Sequence, residues 1–243
     1  MATVGFGLES ANVVGYNGAD LRGGSQAAGV GASFVNVDDT DLTLGNLKVV
    51  GYKAEDGYAD FEVVAKKLNG YGVGGTSYFW CDFEEDGETY YGWYDEDMND
   101  YNAEEVVIGE GLWVYSPDAS FKLQSSGAVP SSDIAVALRG GSQAKLVANP
   151  MPTTLALADI SITGYASEDG YGSFEIVAKK LDGYGVGGTS YFWCDFEEEG
   201  ETYYGWYDED MNDYNDVELA AGESLWIYSP STDFSVVFPA PVL

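Results

Sequence analysis

One acidic and aromatic stretch occurs twice in the chain. The first copy, Tyr78–Asn102, reads YFWCDFEEDGETYYGWYDEDMNDYN, and the second, Tyr191–Asn215, differs only by Glu199 in place of Asp86. Each copy holds two runs rich in Phe, Trp, Tyr and Thr, which is typical of β-strands. Between the runs, Asp86 and Gly87 both tolerate the positive φ of a tight two-residue turn. The stretch therefore predicts a β-hairpin in each copy.

The duplication extends well beyond this hairpin. GYKAEDGYADFEVVAKKLNGYGVGG from Gly51 returns, slightly altered, from Gly164, 113 positions later. Upstream, LRGGSQA at Leu21 returns at Leu138 with an offset of 117, so one loop differs in length by four residues. The Ser, Gly and Pro content of residues 125–133, SSGAVPSSD, is typical of a connector. Duplication thus accounts for nearly the whole chain.

The pattern along each copy is that of strands. Short runs of Val, Ile, Tyr, Phe, Trp and Thr are separated by Gly, Asp and Pro, and no stretch sustains a helical apolar period. We predict an all-β chain of two tandem duplicated β-sandwich domains of jelly-roll type, residues 8–127 and 128–243. The two copies are expected to be related by a pseudo-twofold axis or by a simple translation.

The charge balance excludes some partners. The 243 residues include 41 acidic and 10 basic ones, for a formal net charge of -31. Nucleic acid is not expected as a partner, because phosphate binding needs clustered cations. The charge makes the chain repel itself, so screening or bound cations are expected to relieve it. No apolar run of about 18 residues predicts a membrane span, and MATVGFGLES at the start lacks the features of a signal peptide.

Catalytic residues are not indicated by the sequence. The chain has no histidine, which removes Ser-His triads, zinc–histidine sites and the commonest general base. Carboxylates suited to glycoside hydrolysis are present, but they are so numerous that their presence does not discriminate. We therefore expect no enzymatic activity and assign no catalytic residue.

The acidic part of the repeated stretch is a candidate calcium site. In DEDMND, Asp95–Asp100, oxygen-bearing side chains stand at the first, third and fifth positions, as hard cations require. The stretch is not an EF-hand, because Asp100 stands where that loop has Gly and Val106 where it has Glu. The alternative is a solvated acidic loop between two strands. The candidate ligands in the two copies are Asp95, Asp97, Asn99, Asp100, Asp208, Asp210, Asn212 and Asp213.

The tryptophans of the hairpins allow two interpretations. Aromatic side chains flanked by carboxylates and amides can form a platform that binds glycans. Alternatively, Trp and Tyr are good strand formers that fill a core or pair across strands. The candidate platform residues are Trp80, Trp93, Trp193 and Trp206.

The two cysteines occupy equivalent places, Cys81 and Cys194. Strand alternation puts Cys81 on the same face as Phe79 and Phe83, and we predict that this face is the core. Two buried free thiols are therefore expected, with a disulfide between the copies as the alternative.

Several motifs carry a resemblance to a known kind of protein. NVVGY, DLTLGNLKVVGY, YYGWYDED and GEGLWVYSP, set in a duplicated all-β chain, resemble those of uncharacterised tandem-repeat proteins of environmental and gut bacteria. The resemblance implies no activity and favours an extracellular or cell-surface location. A secretion signal usually precedes the first repeat in such proteins, whereas this sequence starts almost at the repeat.

Two classes of function compete on this basis. Of the 38 residues from Ala65 to Asn102, 36 recur in the second copy, the exceptions being Asn69 and Asp86. Near-identity at polar positions indicates a recent duplication or a surface task performed twice. The leading hypothesis is a structural subunit that self-associates into a filament, surface layer or virion. The alternative is a bivalent module that binds glycans and is stabilised by calcium in its acidic loops.

Overall fold

The protein was analysed as a computed structural model. The structure describes residues 14–21, 26–32, 34, 42–52, 64–68, 75–116, 120–141, 144–165, 176–180, 189–228 and 232–241. Regular structure within these ranges is β-strand, apart from two short 3-10 turns, Leu44–Asn46 and Leu157–Asp159. The all-β prediction is therefore confirmed. Across these ranges no helix has the length and apolarity needed to traverse a bilayer.

Within the described ranges the strands form two sets of ten. The first set is β1 (Val14–Leu21), β2 (Gln26–Gly31), β3 (Leu42–Thr43), β4 (Leu47–Val50), β5 (Val64–Leu68), β6 (Gly75–Glu85), β7 (Glu88–Tyr94), β8 (Glu105–Val106), β9 (Gly111–Ser116) and β10 (Phe121–Ala128). The second set is β11 (Ile134–Leu138), β12 (Lys145–Ala148), β13 (Leu155–Ala156), β14 (Ser161–Thr163), β15 (Val177–Lys180), β16 (Ser190–Glu198), β17 (Glu201–Tyr207), β18 (Glu218–Leu219), β19 (Ser224–Tyr228) and β20 (Phe234–Phe238).

Both sets pair in the same way. The first set forms a three-stranded sheet β1–β10–β4, a five-stranded sheet β2–β9–β5–β6–β7 and the short pair β3–β8. The second set repeats this order as β11–β20–β14, β12–β19–β15–β16–β17 and β13–β18. Every pairing between these strands is antiparallel, for example β6 with β7 and β16 with β17.

Each set of strands has its own core. In the first, Leu123 of the three-stranded sheet packs in one cluster with Trp80 and Leu112 of the five-stranded sheet, and all three are buried. A second cluster joins Phe238 and Trp193 in the same manner. The apolar face of each three-stranded sheet is thus buried against a five-stranded sheet, which stabilises both layers.

The two sets meet through contacts that are exchanged in pairs. Val30 forms an isolated β-bridge with Glu223, and Val147 forms one with Glu110. Val30 and Val147 hold equivalent positions in the duplication, as do Glu110 and Glu223. A contact of residue i with residue j that is matched by one of j with i is the mark of an isologous, twofold interface. Of the two relations expected from the sequence, these contacts fit the pseudo-twofold one.

Hydrogen bonds and one aromatic pair follow the same exchange. The Gly31 N–H donates to the Gly222 carbonyl at 2.8 Å, and the Ala148 N–H donates to the Gly109 carbonyl at 2.9 Å. The equivalent indoles of Trp113 and Trp226 lie 6.3 Å apart between ring centroids, and the buried Leu146 packs against both. This set of contacts is called the junction below.

Candidate functional site

The repeated stretch forms the predicted hairpin in both copies. Strands β6 and β7 pair up to Glu85 and Glu88, which leaves a two-residue turn with φ of 51° at Asp86 and 84° at Gly87. The second turn has φ of 52° at Glu199 and 87° at Gly200. Positive φ at both central residues is the type I′ geometry that suits the twist of paired strands. The hairpin prediction is confirmed in both copies.

One face of each hairpin is buried in the core. Trp80 and Trp93 are a cross-strand pair, with ring centroids 5.4 Å apart and an interplanar angle of 70°. Their counterparts have the same arrangement, and all four side chains are 2 % exposed or less: Trp80, Trp93, Trp193 and Trp206. The prediction of a glycan platform on these tryptophans is therefore wrong. They lie on the face of the five-stranded sheet that meets the other sheet, so their ring faces cannot stack on a sugar.

The second tryptophan of each pair also fixes the hairpin to the opposite sheet. The Trp93 indole N–H donates a buried hydrogen bond of 2.8 Å to the Leu47 carbonyl at the start of β4. In the second copy, the Trp206 indole donates to the Ile160 carbonyl at 3.2 Å. A buried indole N–H normally needs such an acceptor, and here it joins the two layers.

The other face of the hairpin carries a row of aromatic rings, of which Phe83 and Tyr90 are half-buried and Tyr94 is buried. Phe83 and Tyr90 are stacked across the strands, with centroids 5.1 Å apart and an interplanar angle of 24°. Tyr94 follows at 5.7 Å from Tyr90, edge to face. The row recurs with nearly the same distances and angles in the second copy. We call the following residues the outer aromatic row: Phe83, Tyr90, Tyr94, Phe196, Tyr203 and Tyr207.

Carboxylates border this row. The Tyr90 hydroxyl donates to a carboxylate oxygen of Glu88 at 3.2 Å, beside the exposed turn. Asp86, Glu85 and Glu84 at the end of the hairpin are also exposed. The end of each hairpin is therefore negatively charged, with an aromatic surface directly behind it.

The cysteines lie on this same side of the sheet. Cys81 and Cys194 are free and fully buried, which confirms the prediction of two buried thiols. Burial raises the pKa of each thiol to about 12, because the thiolate would lose its hydration. The prediction that the Cys81 face is the core between sheets is wrong. Phe79 and Phe83 on that face are only half-buried, whereas Tyr78 and Trp80 on the opposite face join the core.

The acidic loop after each hairpin is organised by its own hydrogen bonds. One oxygen of Asp95 accepts the backbone N–H groups of Asp97 at 3.0 Å and Asn99 at 2.9 Å. The Asn99 amide donates to the other oxygen at 2.9 Å. The side-chain bond from Asn99 is the main reason why the pKa of Asp95 lies below its ordinary value. Asp208, Asp210 and Asn212 repeat the arrangement, and the pKa of Asp208 is lowered for the same reason.

The end of the motif holds the loop against the hairpin. One oxygen of Asp100 accepts from the Asn102 backbone at 2.7 Å and from its amide at 2.8 Å. The Asn102 amide oxygen in turn accepts the Trp93 backbone N–H at 3.0 Å. Gly92 has φ of 119°, and a Cβ there would collide with the Asn102 amide. Gly92 and Asn102 are therefore mutually required, and Gly205 and Asn215 show the same relation.

The structure brings the predicted cation ligands into one loop per copy, but not around a common point. Within the ranges that the structure describes, no three His, Cys, Asp or Glu residues cluster as metal ligands would. The oxygens of Asp95 and one oxygen of Asp100 already accept hydrogen bonds from the loop itself. Calcium binding by the eight residues named from the sequence stays a prediction. The spacing of the first Asp and the Asn has a sufficient structural reason in the turn.

Sequence reasoning missed the outer aromatic row. The signal was present, because the alternation that groups Cys81 with Phe83 also places Tyr90 and Tyr94 on that face through strand pairing.

The comparisons with known proteins add no constraint to this site. No protein-family model, no curated protein and no solved structure matches the chain.

Proposed function

We propose that the protein is a non-enzymatic structural subunit that self-associates into an extracellular or cell-surface filament or layer, or into a virion. Each chain is proposed to consist of two tandem β-sandwich domains of jelly-roll type. The observation that carries the proposal is that the hairpin is kept between the copies at its exposed positions as well as its buried ones, whereas five buried positions outside the hairpin have changed.

Part of the core has drifted between the copies. At five buried positions one aliphatic residue replaces another, and only the Leu-for-Ile exchange keeps the side-chain volume, whereas the other four change it by one methylene. Both members of every pair are buried. The pairs are Leu47/Ile160, Val49/Ile162, Val106/Leu219, Val114/Ile227 and Leu123/Val236.

The hairpin surface has not drifted. Strands β6 and β7 are identical in sequence to their counterparts, including exposed positions such as Glu84 and Thr89. Tyr91 is 47 % exposed and its counterpart Tyr204 is 56 % exposed. Most surface positions change stability by less than about 0.5 kcal/mol when substituted, so the fold alone does not require this identity. A surface task performed by both copies accounts for this identity.

Aromatic rings and carboxylates give that surface its chemistry. The outer aromatic row offers partly exposed ring area, and aromatic residues are enriched where proteins associate. The acidic hairpin end repels other acidic surfaces, so its partner is expected to carry cations. Lys48 lies beside the first hairpin, with its ammonium 4.8 Å from the centroid of the Tyr91 ring, whereas the second copy has Ser161 there.

Two equal surfaces on one chain favour extended assembly. A contact that the β6–β7 hairpin makes with a neighbouring chain can be made again by β16–β17 with another. Repetition of this kind yields rings, sheets or filaments, depending on the rotation between neighbours. The net charge of -31 predicts that assembly increases with salt, because screening reduces repulsion between chains.

The test is a double variant of the outer aromatic row. Tyr90→Thr with Tyr203→Thr removes one ring from each hairpin and keeps good strand formers. Val50→Thr is the matched control, because Val50 is 43 % exposed and its counterpart is already Thr163. Wild type and control are expected to form large regular particles by light scattering and electron microscopy at neutral pH and high salt, and the double variant is not. A wild type that stays monomeric under all these conditions contradicts the proposal.

The exposure of Tyr91 and Tyr204 supports bivalent glycan binding as a second candidate. Tyr91→Ala with Tyr204→Ala is then expected to abolish saturable glycan binding without changing particle size. The calcium part of this candidate has its own test in melting curves at fixed ionic strength. Calcium at a hundred times its dissociation constant adds about 2.7 kcal/mol to stability. Equal melting temperatures with chelator and with millimolar calcium would show that the loops are acidic turns that calcium does not stabilise.

A further inference from the structure

The core-facing side of each hairpin ends in one exposed tyrosine. In the first copy Tyr91 packs edge to face on Trp80, with ring centroids 5.2 Å apart. Its counterpart Tyr204 packs on Trp193 in the same way, at 5.1 Å. Both tryptophans are buried, whereas Tyr91 is 47 % exposed and Tyr204 is 56 % exposed. Each tyrosine ring therefore rests against the core and still offers area to a partner.

A lysine of the same chain lies over the ring in the first copy. Lys48 of β4 places its ammonium 4.8 Å from the centroid of the Tyr91 ring, which is the geometry of a cation–π contact. The start of β4 is held beside the hairpin by the hydrogen bond from the Trp93 indole to the Leu47 carbonyl. The first copy thus shows that this place accommodates an alkylammonium group.

The second copy has the same frame without this lysine. Ser161 of β14 stands at the position of Lys48. The preceding residue, Ile160, accepts the equivalent hydrogen bond from the Trp206 indole, so the strand begins at the same place beside the hairpin. Tyr204 therefore keeps the ring position of the first copy, and a serine replaces the cation there.

Carboxylates make this place negative in the second copy. Asp195 lies directly across the strands from Tyr204, so the two side chains share one face of the sheet. Glu197, two residues further along β16, is on the same face and is exposed. The ring attracts a cation through its quadrupole, and carboxylates nearby add Coulomb attraction.

We infer that Tyr204, Asp195 and Glu197 form a docking site for a lysine side chain from a basic segment of another protein. Charge complementarity favours another protein over a second copy, because the chain has 10 basic residues against 41 acidic ones and its copies repel each other. The site is on the opposite face of the hairpin from the outer aromatic row, and it does not depend on self-association. The first copy is excluded from this docking because Lys48 already occupies the place.

The probe is pentalysine that carries a neutral fluorophore, titrated with the full chain and followed by fluorescence anisotropy. Salt is held at about 0.15 M, where interactions beyond about 8 Å are largely screened. Saturable binding is expected for wild type. Tyr204→Leu removes the ring and is expected to weaken binding about threefold, as loss of an exposed cation–π contact does. The matched control Tyr91→Leu leaves binding unchanged, but in a Lys48→Ser background it should also weaken binding about threefold.

A second pair of variants keeps the net charge equal. Ser161→Lys and Thr163→Lys each add one positive charge to β14, and only Ser161→Lys places it where the first copy has Lys48. Ser161→Lys is expected to weaken pentalysine binding about threefold more than Thr163→Lys does. Cooperative melting by circular dichroism verifies that each variant is folded. Where Tyr204→Leu does not fold, this second pair decides.

The inference is overturned by a wild type without saturable binding, or by equal effects within either matched pair. Particle size without peptide is the additional readout for the source of the lysine. A smaller particle for Tyr204→Leu but not for Tyr91→Leu would overturn the assignment to another protein and give the lysine to a second copy of this chain.

Discussion

The two hairpins are alike, whereas the strands β1 and β11 beside the junction differ in side-chain volume between the copies. Strands β6–β7 and β16–β17 share their sequence, their stacked rings and the hydrogen bonds of the following loop. Beside β1, by contrast, Ala19 and Ser125 line a recess of about 10 Å³, whereas the larger Val136 and Phe238 are buried at the equivalent positions of the second copy. The contrast shows that burial alone does not determine which residues stay the same in the two copies. Exposed positions of the hairpins have been kept while some buried positions outside them have changed.

The largest effect is expected for the reactivity of the two cysteines, which the comparison predicts to be equal. With a pKa raised by burial to about 12, Cys81 and Cys194 hold almost no thiolate at pH 8. Alkylation by iodoacetamide in the native state should be at least about a thousandfold slower than in denaturant. Peptide mass spectrometry over time measures each site separately, and rapid labelling of one of them contradicts the equivalence of the hairpins.

The next largest effect is expected on stability when the glycine that faces the side-chain amide of the acidic loop is replaced. Gly92→Ala and Gly205→Ala should each cost about 3 kcal/mol, because both place a Cβ at an unfavourable φ and against Asn102 or Asn215. Gly87→Ala is the control, since its φ of 84° is strained but a Cβ there meets nothing within 4 Å. That control should cost about 1 kcal/mol. Denaturant unfolding measures all three, and equal losses at Gly92 and Gly87 would refute the packing argument.

A smaller, pH-dependent effect is expected from the acidic loops. The folded-state pKa of Asp95 and of Asp208 lies below its ordinary value, so their stabilisation is present above about pH 4 and is lost as pH falls through the folded value. Asp95→Ala with Asp208→Ala should lower the melting temperature at pH 7. The difference from wild type should narrow below about pH 4. Glu96→Ala, an exposed neighbour, serves as control and should show no such pH-dependent difference.

The smallest effect addresses the one position where the hairpins differ. Glu199 adopts φ of 52°, a left-handed conformation that Asn and Asp accept more readily than Glu. Glu199→Asn should therefore stabilise the second hairpin by about 0.5 kcal/mol, and Asp86→Glu should destabilise the first by a similar amount. Melting temperatures of the two variants test this, and shifts of the same sign would show that the turns are not equivalent.

Features of the fold and of the candidate site could be predicted from the sequence where neighbouring residues alone decide them. The turn at Asp86 and Gly87 follows from backbone preferences of two residues, so the hairpin was correctly predicted. The buried face of β6 was not, because apolar residues occupy both faces and alternation alone does not identify the one that meets the other sheet. The spacing of Asp95, Asp97 and Asn99 suits both a cation and a turn. In the structure Asp95 accepts hydrogen bonds from the Asp97 and Asn99 backbones and from the Asn99 amide, so the turn accounts for the spacing of Asp95 and Asn99.

The recess beside β1 could not be predicted for a related reason. Ala19 and Gly222 both line it, and only the folded chain brings them together. The duplication did contain a signal, since Ala19 aligns with Val136 and Ser125 with Phe238. A loss of side-chain volume at two aligned positions becomes meaningful once both are known to face the same space.

The reciprocal junction has a consequence for how the protein responds to dilution. Its two halves belong to one chain and are connected by the short stretch of residues 129–133, so they meet at an effective concentration set by that tether. Diluting the sample lowers the encounter rate between chains but leaves this internal encounter unchanged. Contacts such as that of Trp113 with Trp226 should therefore persist at nanomolar protein. A concentration series can measure tryptophan emission and particle size in parallel. Emission reports the contacts within one chain, and particle size reports the contacts between chains.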